Sequence, residues 1–128
     1  MSPATEVLLI DDSATFLKLV NDILKKEGIK VMVAKTIDRA FKILDKKSPK
    51  LILLDLRLNN EHGFNFLEKA KIDEKLKNIP VIVVSADYNP IVIKKAIELG
   101  ANDYITKPLN MMDLRNKCKS HIRQVEVR

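Results

Sequence analysis

Short runs of Val, Ile and Leu alternate with longer helix-periodic segments along this chain, and that alternation limits the possible folds more than any other feature. Five runs occur: Val7-Leu8-Leu9-Ile10, the region Ile29 to Ala34, Leu51-Ile52-Leu53-Leu54, Val81-Ile82-Val83-Val84, and a shorter stretch around Asp103 to Ile105. A run that is apolar at every position has no polar face to offer water, so it fits a strand covered on both sides, as in a parallel sheet. The second and fifth runs are more polar and belong at the sheet edges.

The segments between them carry helical signals. Phe16, Val20, Ile23 and Leu24 mark one apolar stripe, and Met111, Leu114, Cys118, Ile122 and Val125 mark another; both are expected to face a core. Ser13 is placed to cap the first helix and Gly28 to end it. Asn89-Pro90 is a cap followed by proline at the first helical position, Gly100 closes that helix, and Asn110 with Asp113 has the spacing of a capping box. Five strands and five helices in strict alternation, joined by right-handed crossovers, make an α/β doubly wound parallel sheet with helices on both faces. The 128 residues suffice for one such domain, and an apolar fraction of 46% beside 31% charged residues allows a buried core with a solvated shell.

In a sheet of this kind ligands bind beyond the carboxyl ends of the strands, where the strand order reverses. The first run ends in Asp11-Asp12, the third in Asp55 and the fourth in Ser85, while Thr106-Lys107-Pro108 follows the fifth. With strand order 2-1-3-4-5 the first and third strands are neighbours, and their three carboxylates converge. Carboxylates this close repel unless a cation joins them, and an all-oxygen set suits a hard divalent ion, with Mg2+ the natural candidate. A carboxylate approached by a metal, an ammonium and a hydroxyl has the surroundings of a nucleophile for phosphoryl transfer. Asp55 is that residue; Asp11 and Asp12 would hold the metal, Ser85 would hydrogen-bond a phosphoryl oxygen and Lys107 would pair with the phosphoryl group.

At these residues the sequence closely resembles the response-regulator receiver family of two-component signalling, from Val7 to about Val125. The resemblance implies a single flavodoxin-like receiver domain over residues 1–128 with its core between about 6 and 125. Asp11 and Asp12 match the family's acidic pair, Asp55 its phosphoacceptor, Ser85 its hydroxyl and Lys107-Pro108 its lysine and following proline; Gly63 also falls in register. It further implies that Asp12, Asp55 and the backbone carbonyl of Arg57 ligate Mg2+ directly, with Asp11 acting more through water, and that the Lys107–Pro108 bond is cis and aims the lysine inward. Tyr104 matches the aromatic switch position: Ser85 moves toward the phosphoryl group, and Tyr104 turns into the vacated space, remodelling the face made by the fourth helix, fifth strand and fifth helix. Arg57 and Asp87 flank the site entrance and are expected to pair across it and slow attack by water.

The chain departs from the family in the loop Leu58-Asn59-Asn60-Glu61-His62-Gly63, which lacks the common proline at Asn59 and the frequent aspartate at His62. A less rigid loop is expected there, with His62 and His121 incidental. A phosphatase of the haloacid-dehalogenase type is disfavoured because the position two residues past Asp55 is Arg57, not the aspartate that chemistry needs. A flavodoxin-type cofactor module is disfavoured because two aspartates, not a Gly-rich loop, follow the first strand. The remaining alternative is a receiver-like adaptor that works by docking without phosphorylation.

The function expected is therefore a phosphoacceptor switch that catalyses only its own phosphorylation and dephosphorylation. Its expected partners are a sensor histidine kinase or histidine phosphotransfer protein, and a downstream target or attached output domain. The adjacent Ile91, Val92 and Ile93 cannot all face the core, so the fourth-helix face is a candidate surface for a partner or a homodimer. The single cysteine excludes an internal disulfide, and no apolar stretch reaches the roughly 18 residues of a membrane span or has a signal-peptide pattern. A cytoplasmic protein with no membrane contact is expected. The net charge of +6 is concentrated between Lys25 and Lys50, a spacing that fits a solvated helical face better than a nucleic-acid surface.

Overall fold

The computed structural model describes residues 5–127, with side chains described through Arg123. The element order is β1 (Thr5–Ile10), α1 (Ala14–Lys25), β2 (Ile29–Ala34), α2 (Ile37–Leu44), β3 (Leu51–Leu54), β4 (Arg57–Leu58), β5 (Glu61–His62), α3 (Phe64–Ala70), β6 (Val81–Ser85), α4 (Pro90–Glu98), β7 (Asp103–Thr106) and α5 (Met111–Val127). Five strands form one parallel sheet in the order β2-β1-β3-β6-β7, which is the 2-1-3-4-5 arrangement of the five apolar runs, with the two polar runs at the edges. Sequence periodicity did not foresee β4 and β5, a two-residue antiparallel pair, because segments this short carry no periodicity to read.

Alternation along the strands divides the core in two. Val7, Leu9, Leu51, Leu53, Ile82 and Val84 pack on Phe16, Leu17, Val20 and Leu24 of α1 and on Leu114, Cys118 and Ile122 of α5. Leu8, Ile10, Ile52, Leu54, Val81 and Val83 pack on the opposite side, against Ala40 and Leu44 of α2, Phe66 and Leu67 of α3 and Ala96 of α4. Each fully buried leucine or isoleucine contributes about 1.5–3 kcal/mol, so consecutive apolar residues in the central strands stabilise both layers. Burial pushes the Cys118 thiol up to about 12, consistent with a packing role.

Local chemistry starts the helices where the caps stand. Ser13 Oγ accepts from the Phe16 N–H at 3.3 Å, Thr36 Oγ1 from Arg39 at 3.1 Å, and Asn89 Oδ1 from Ile91 at 2.9 Å with Pro90 in the first turn. Asn110 Oδ1 accepts from the Asp113 N–H at 3.0 Å, but the Asp113 carboxylate approaches Lys117 at 3.7 Å instead of completing a reciprocal box. Met111, expected in the core stripe, is 58% exposed: it sits in the first turn of α5 and, with Met112, lines a surface groove beside Leu19 and Ile23 of α1. The side chain of Val125, also assigned to that stripe, lies outside the described residues.

Candidate functional site

Parallel register brings the strand-terminal residues to one edge of the sheet. Ile10 pairs with Leu54, so the next residues, Asp11 and Asp55, leave neighbouring strands at one level, tied by the Asp55 N–H to the Ile10 carbonyl at 2.9 Å. Asp11, Asp12 and Asp55 each offer a carboxylate oxygen, and these atoms all lie within 4.8 Å of one another. Ser85 pairs with Thr106 across β6 and β7, and the Lys107 N–H donates to the Ser85 carbonyl at 2.8 Å. The Lys107 ammonium then reaches back to Asp11 Oδ2 at 3.0 Å and Asp55 Oδ2 at 3.4 Å. The Lys107–Pro108 bond is cis.

The buried polar or charged residues among those described are Asp11, Asp55 and Ser85, all at this edge. Burying such groups is costly unless they are paired, so their concentration in one place makes this edge the candidate site. Asp11 Oδ1 also accepts from the Ser13 N–H at 2.8 Å, and Asp55 Oδ1 from the Arg57 N–H at 3.2 Å. Burial, aided by the nearby Asp11 carboxylate, pushes the Asp55 carboxyl above its ordinary value against the opposing pull of Lys107. The donor set is all oxygen and Asp12 is exposed, so the cluster opens to solvent and fits a hard cation that keeps some of its water, such as Mg2+.

The loop after Asp55 contains a hairpin held by hydrogen bonds to distant residues. β4 and β5 form a hairpin around Asn59-Asn60, with Asn60 in the left-handed region at φ 62°. The Asn59 N–H donates to Asp12 Oδ2 at 2.8 Å, a bond that proline at this position could not make. Glu61 Oε2 accepts from the Ile37 N–H at the start of α2 at 3.1 Å, and the Gly63 N–H from β5's end returns to Leu56 at 2.8 Å. Three hydrogen bonds thus tie the loop to Asp12, to the start of α2 and to Leu56. Replacing Asn60 by alanine should cost about 1 kcal/mol in a urea titration, because only the backbone conformation is strained, whereas Asn60→Gly should be close to neutral.

Residues 7–119 match the family described as the response regulator receiver domain. This chain belongs to that family. The receiver is 30% identical over 122 residues to the phosphate regulon transcriptional regulatory protein PhoB of Escherichia coli, covering 95% of this chain but 53% of that protein. It is 28% identical to the two-component response regulator ORR3 of rice, covering 91% of this chain and 89% of that protein. The chain thus spans about half the length of PhoB. Among solved structures, a CheY-like receiver domain protein from Methanospirillum hungatei superposes with a TM-score of 0.88 at 27% identity, covering 97% of this chain and 98% of that one. The receiver domain of a signal transduction histidine kinase from Syntrophus aciditrophicus gives 0.87 at 28% identity, covering 95% and 92%.

Other residues of the receiver surround this edge. Arg57 Nη2 and Asp87 Oδ2 lie 3.6 Å apart at the mouth of the site, with the arginine side chain 74% exposed. Ser85 Oγ accepts from the Asp87 N–H at 3.2 Å, and the Tyr104 hydroxyl donates to the Asp87 carbonyl, so Asp87 joins the hydroxyl of β6 to the aromatic ring of β7. Burial raises the Tyr104 phenol above its ordinary value. The sequence did not mark two roles that the structure gives to histidines. His62 Nδ1 accepts from the Phe64 N–H at 3.1 Å at the start of α3, and His121 Nε2 lies 3.2 Å from Asp103 Oδ2, joining α5 to β7.

Burial alone would raise the Asp103 carboxyl, but His121, the Tyr104 N–H and Lys117 outweigh it and hold the group below its ordinary value. A depressed folded value means stability that is complete above the unfolded pKa of about 3.9 and is lost as pH falls through the folded one. Asp103→Asn should therefore lower stability at pH 7 by less than about 1 kcal/mol, given its partial exposure. The variant and parent should converge at pH 2–3 in matched urea titrations.

Among the described residues, no helix is long and apolar enough to cross a membrane.

Proposed function

We propose that this receiver is a cytoplasmic phosphoacceptor switch in which Asp55 takes a phosphoryl group from a sensor histidine kinase or histidine phosphotransfer protein. The convergence of Asp11, Asp12 and Asp55 with the Lys107 ammonium carries this reading. Asp55 lies between a candidate cation site and a fixed positive charge, the surroundings in which a carboxylate oxygen can attack phosphorus. The new bond is Asp55 O–P, and the bond that breaks is the donor's P–N or P–O bond. Asp11, Asp12, Asp55 and the backbone carbonyl of Arg57 would hold Mg2+, which supplies positive charge against the phosphoryl oxygens. Lys107 pairs with that group from the other side, and the Ser85 hydroxyl donates to one of its oxygens. The protein is not an enzyme toward other substrates; its chemistry is confined to its own aspartyl phosphate.

Arg57 and Asp87 stand where they would screen the aspartyl phosphate from water. Ser85, Asp87 and Tyr104 are already linked, so movement of the Ser85 hydroxyl toward a phosphoryl group would release or re-aim Tyr104 and alter the α4–β7–α5 face. The adjoining helix α4 exposes Ile91 and Ile97, apolar surface suited to a downstream target, an attached output domain or a second copy. PhoB's description as a transcriptional regulator is consistent with such an output.

Incubation with Mg2+ and acetyl phosphate, read by intact mass, should give one phosphoryl adduct on the parent and none on Asp55→Asn or on metal-stripped protein. An equal adduct on Asp55→Asn would reject Asp55 as the acceptor.

A further inference from the structure

The Lys107 ammonium has a third neighbour besides its two carboxylates: it stands 3.9 Å from the centroid of the Phe16 ring. Phe16 is 8% exposed and lies in the first turn of α1, where its own N–H is held by Ser13 Oγ. The Ser13 N–H in turn donates to Asp11 Oδ1, while Asp11 Oδ2 meets the Lys107 ammonium. A closed circuit results, running from Asp11 through Ser13 and Phe16 to Lys107 and back to Asp11. The cap of α1 thereby sets both the carboxylate and the ring against which the lysine rests.

We infer that Phe16 is a positioning residue for Lys107, holding the ammonium over its π face so that the full positive charge stays directed at Asp55. The face of an aromatic ring attracts a cation within about 6 Å. Unlike a carboxylate it does not neutralise the charge, and unlike water it does not reorganise when an anion arrives. Two of the ammonium's directions are taken by Asp11 and Asp55, and the ring occupies a third side that solvent would otherwise fill. As negative charge builds on Asp55, the lysine can shift from Asp11 toward the phosphoryl oxygens while staying on the same surface. An aliphatic residue at position 16 would preserve the packing of α1 against β1 and β3 but lose this attraction.

The kinetic part of this inference rests on phosphoryl transfer to Asp55, whereas the contact itself does not, so the test has two arms. In the first, Phe16 is replaced by ring-fluorinated phenylalanines carrying one, two and three fluorines, which keep the shape and progressively weaken the negative ring face. The rate constant for phosphorylation by acetyl phosphate is expected to fall stepwise to about a third to a tenth of the parent's, with unchanged melting temperature. Phe16→Leu should fall as far, and Phe16→Tyr should retain most of the rate. In the second arm, the Lys107 ammonium is followed by nitrogen-15 NMR in metal-free protein, where its protons should be shifted upfield by the ring and should lose that shift in Phe16→Leu. A flat rate across the fluorinated series, or an ammonium signal unmoved by Phe16→Leu, would overturn the inference. If the parent takes up no phosphoryl group at all, the functional reading fails and the ammonium signal alone decides the role of Phe16.

Discussion

Gly63→Ala is expected to destabilise the protein by about 3 kcal/mol, at the upper end of what overpacking a filled core costs. A Cβ at Gly63 would stand 2.6 Å from the Asp55 carbonyl oxygen and 2.9 Å from Leu56 Cα, both backbone atoms that cannot rotate away. The backbone of Gly63 is at φ −60°, comfortable for alanine, so the loss would come from the contact alone. Gly28 offers the opposite case: its φ is 73° and nothing lies within 4 Å of an added Cβ, so Gly28→Ala should cost only about 1 kcal/mol of backbone strain. Because the displaced atoms belong to Asp55 and Leu56, Gly63→Ala should also slow phosphoryl uptake even where the variant remains folded. Denaturant titration of the two variants measures the first effect and adduct formation by mass the second. Equal costs at the two glycines would mean that the hairpin yields freely and does not brace Asp55.

Lys107→Ala should also be destabilising by about 3 kcal/mol, the lower end of the range for removing one member of a buried ion pair. Asp11 is fully buried and its Oδ2 meets Lys107 at 3.0 Å, with the lysine side chain 20% exposed. Without the ammonium, three clustered carboxylates face one another with no cation of the protein's own between them. Added Mg2+ should therefore raise the melting temperature of Lys107→Ala more than that of the parent, since a ligand of the folded state stabilises by mass action. Thermal unfolding of both proteins with EDTA and with millimolar Mg2+ provides the comparison. A variant as stable as the parent in EDTA would show that Asp11 does not depend on this pair.

Much of this architecture is legible in the sequence. The apolar runs specified the strands because a position buried on both faces admits little but Val, Ile and Leu, and Ser13, Asn89 and Asn110 announced helix starts through chemistry local to a few residues. The five residues proposed for the site stand out in the sequence by their position at strand ends: Asp11 and Asp12 come after β1, Asp55 after β3 and Lys107 after β7, while Ser85 closes β6. The β4–β5 hairpin was not readable: it depends on Asn59 meeting Asp12, 47 residues away, and on Glu61 meeting Ile37, 24 residues away. The exposure of Met111 was hidden too, because helical periodicity gives the side of a helix on which a residue lies but not how far its neighbours cover it in the first turn.

By itself, then, the sequence determined the layered α/β architecture, the edge of the sheet at which polar groups gather, and the residue types available there, all properties of local pattern and strand order. Tertiary structure alone decided which atoms meet: that Lys107 lies against Asp11 more closely than Asp55, that Asp12 is held by the hairpin, that Asp87 links Ser85 to Tyr104, and that Phe16 closes over the ammonium. The physical reason is distance along the chain. Local preferences act over a few residues, whereas 96 residues separate Asp11 from Lys107, and only the packed sheet brings their charges to 3.0 Å.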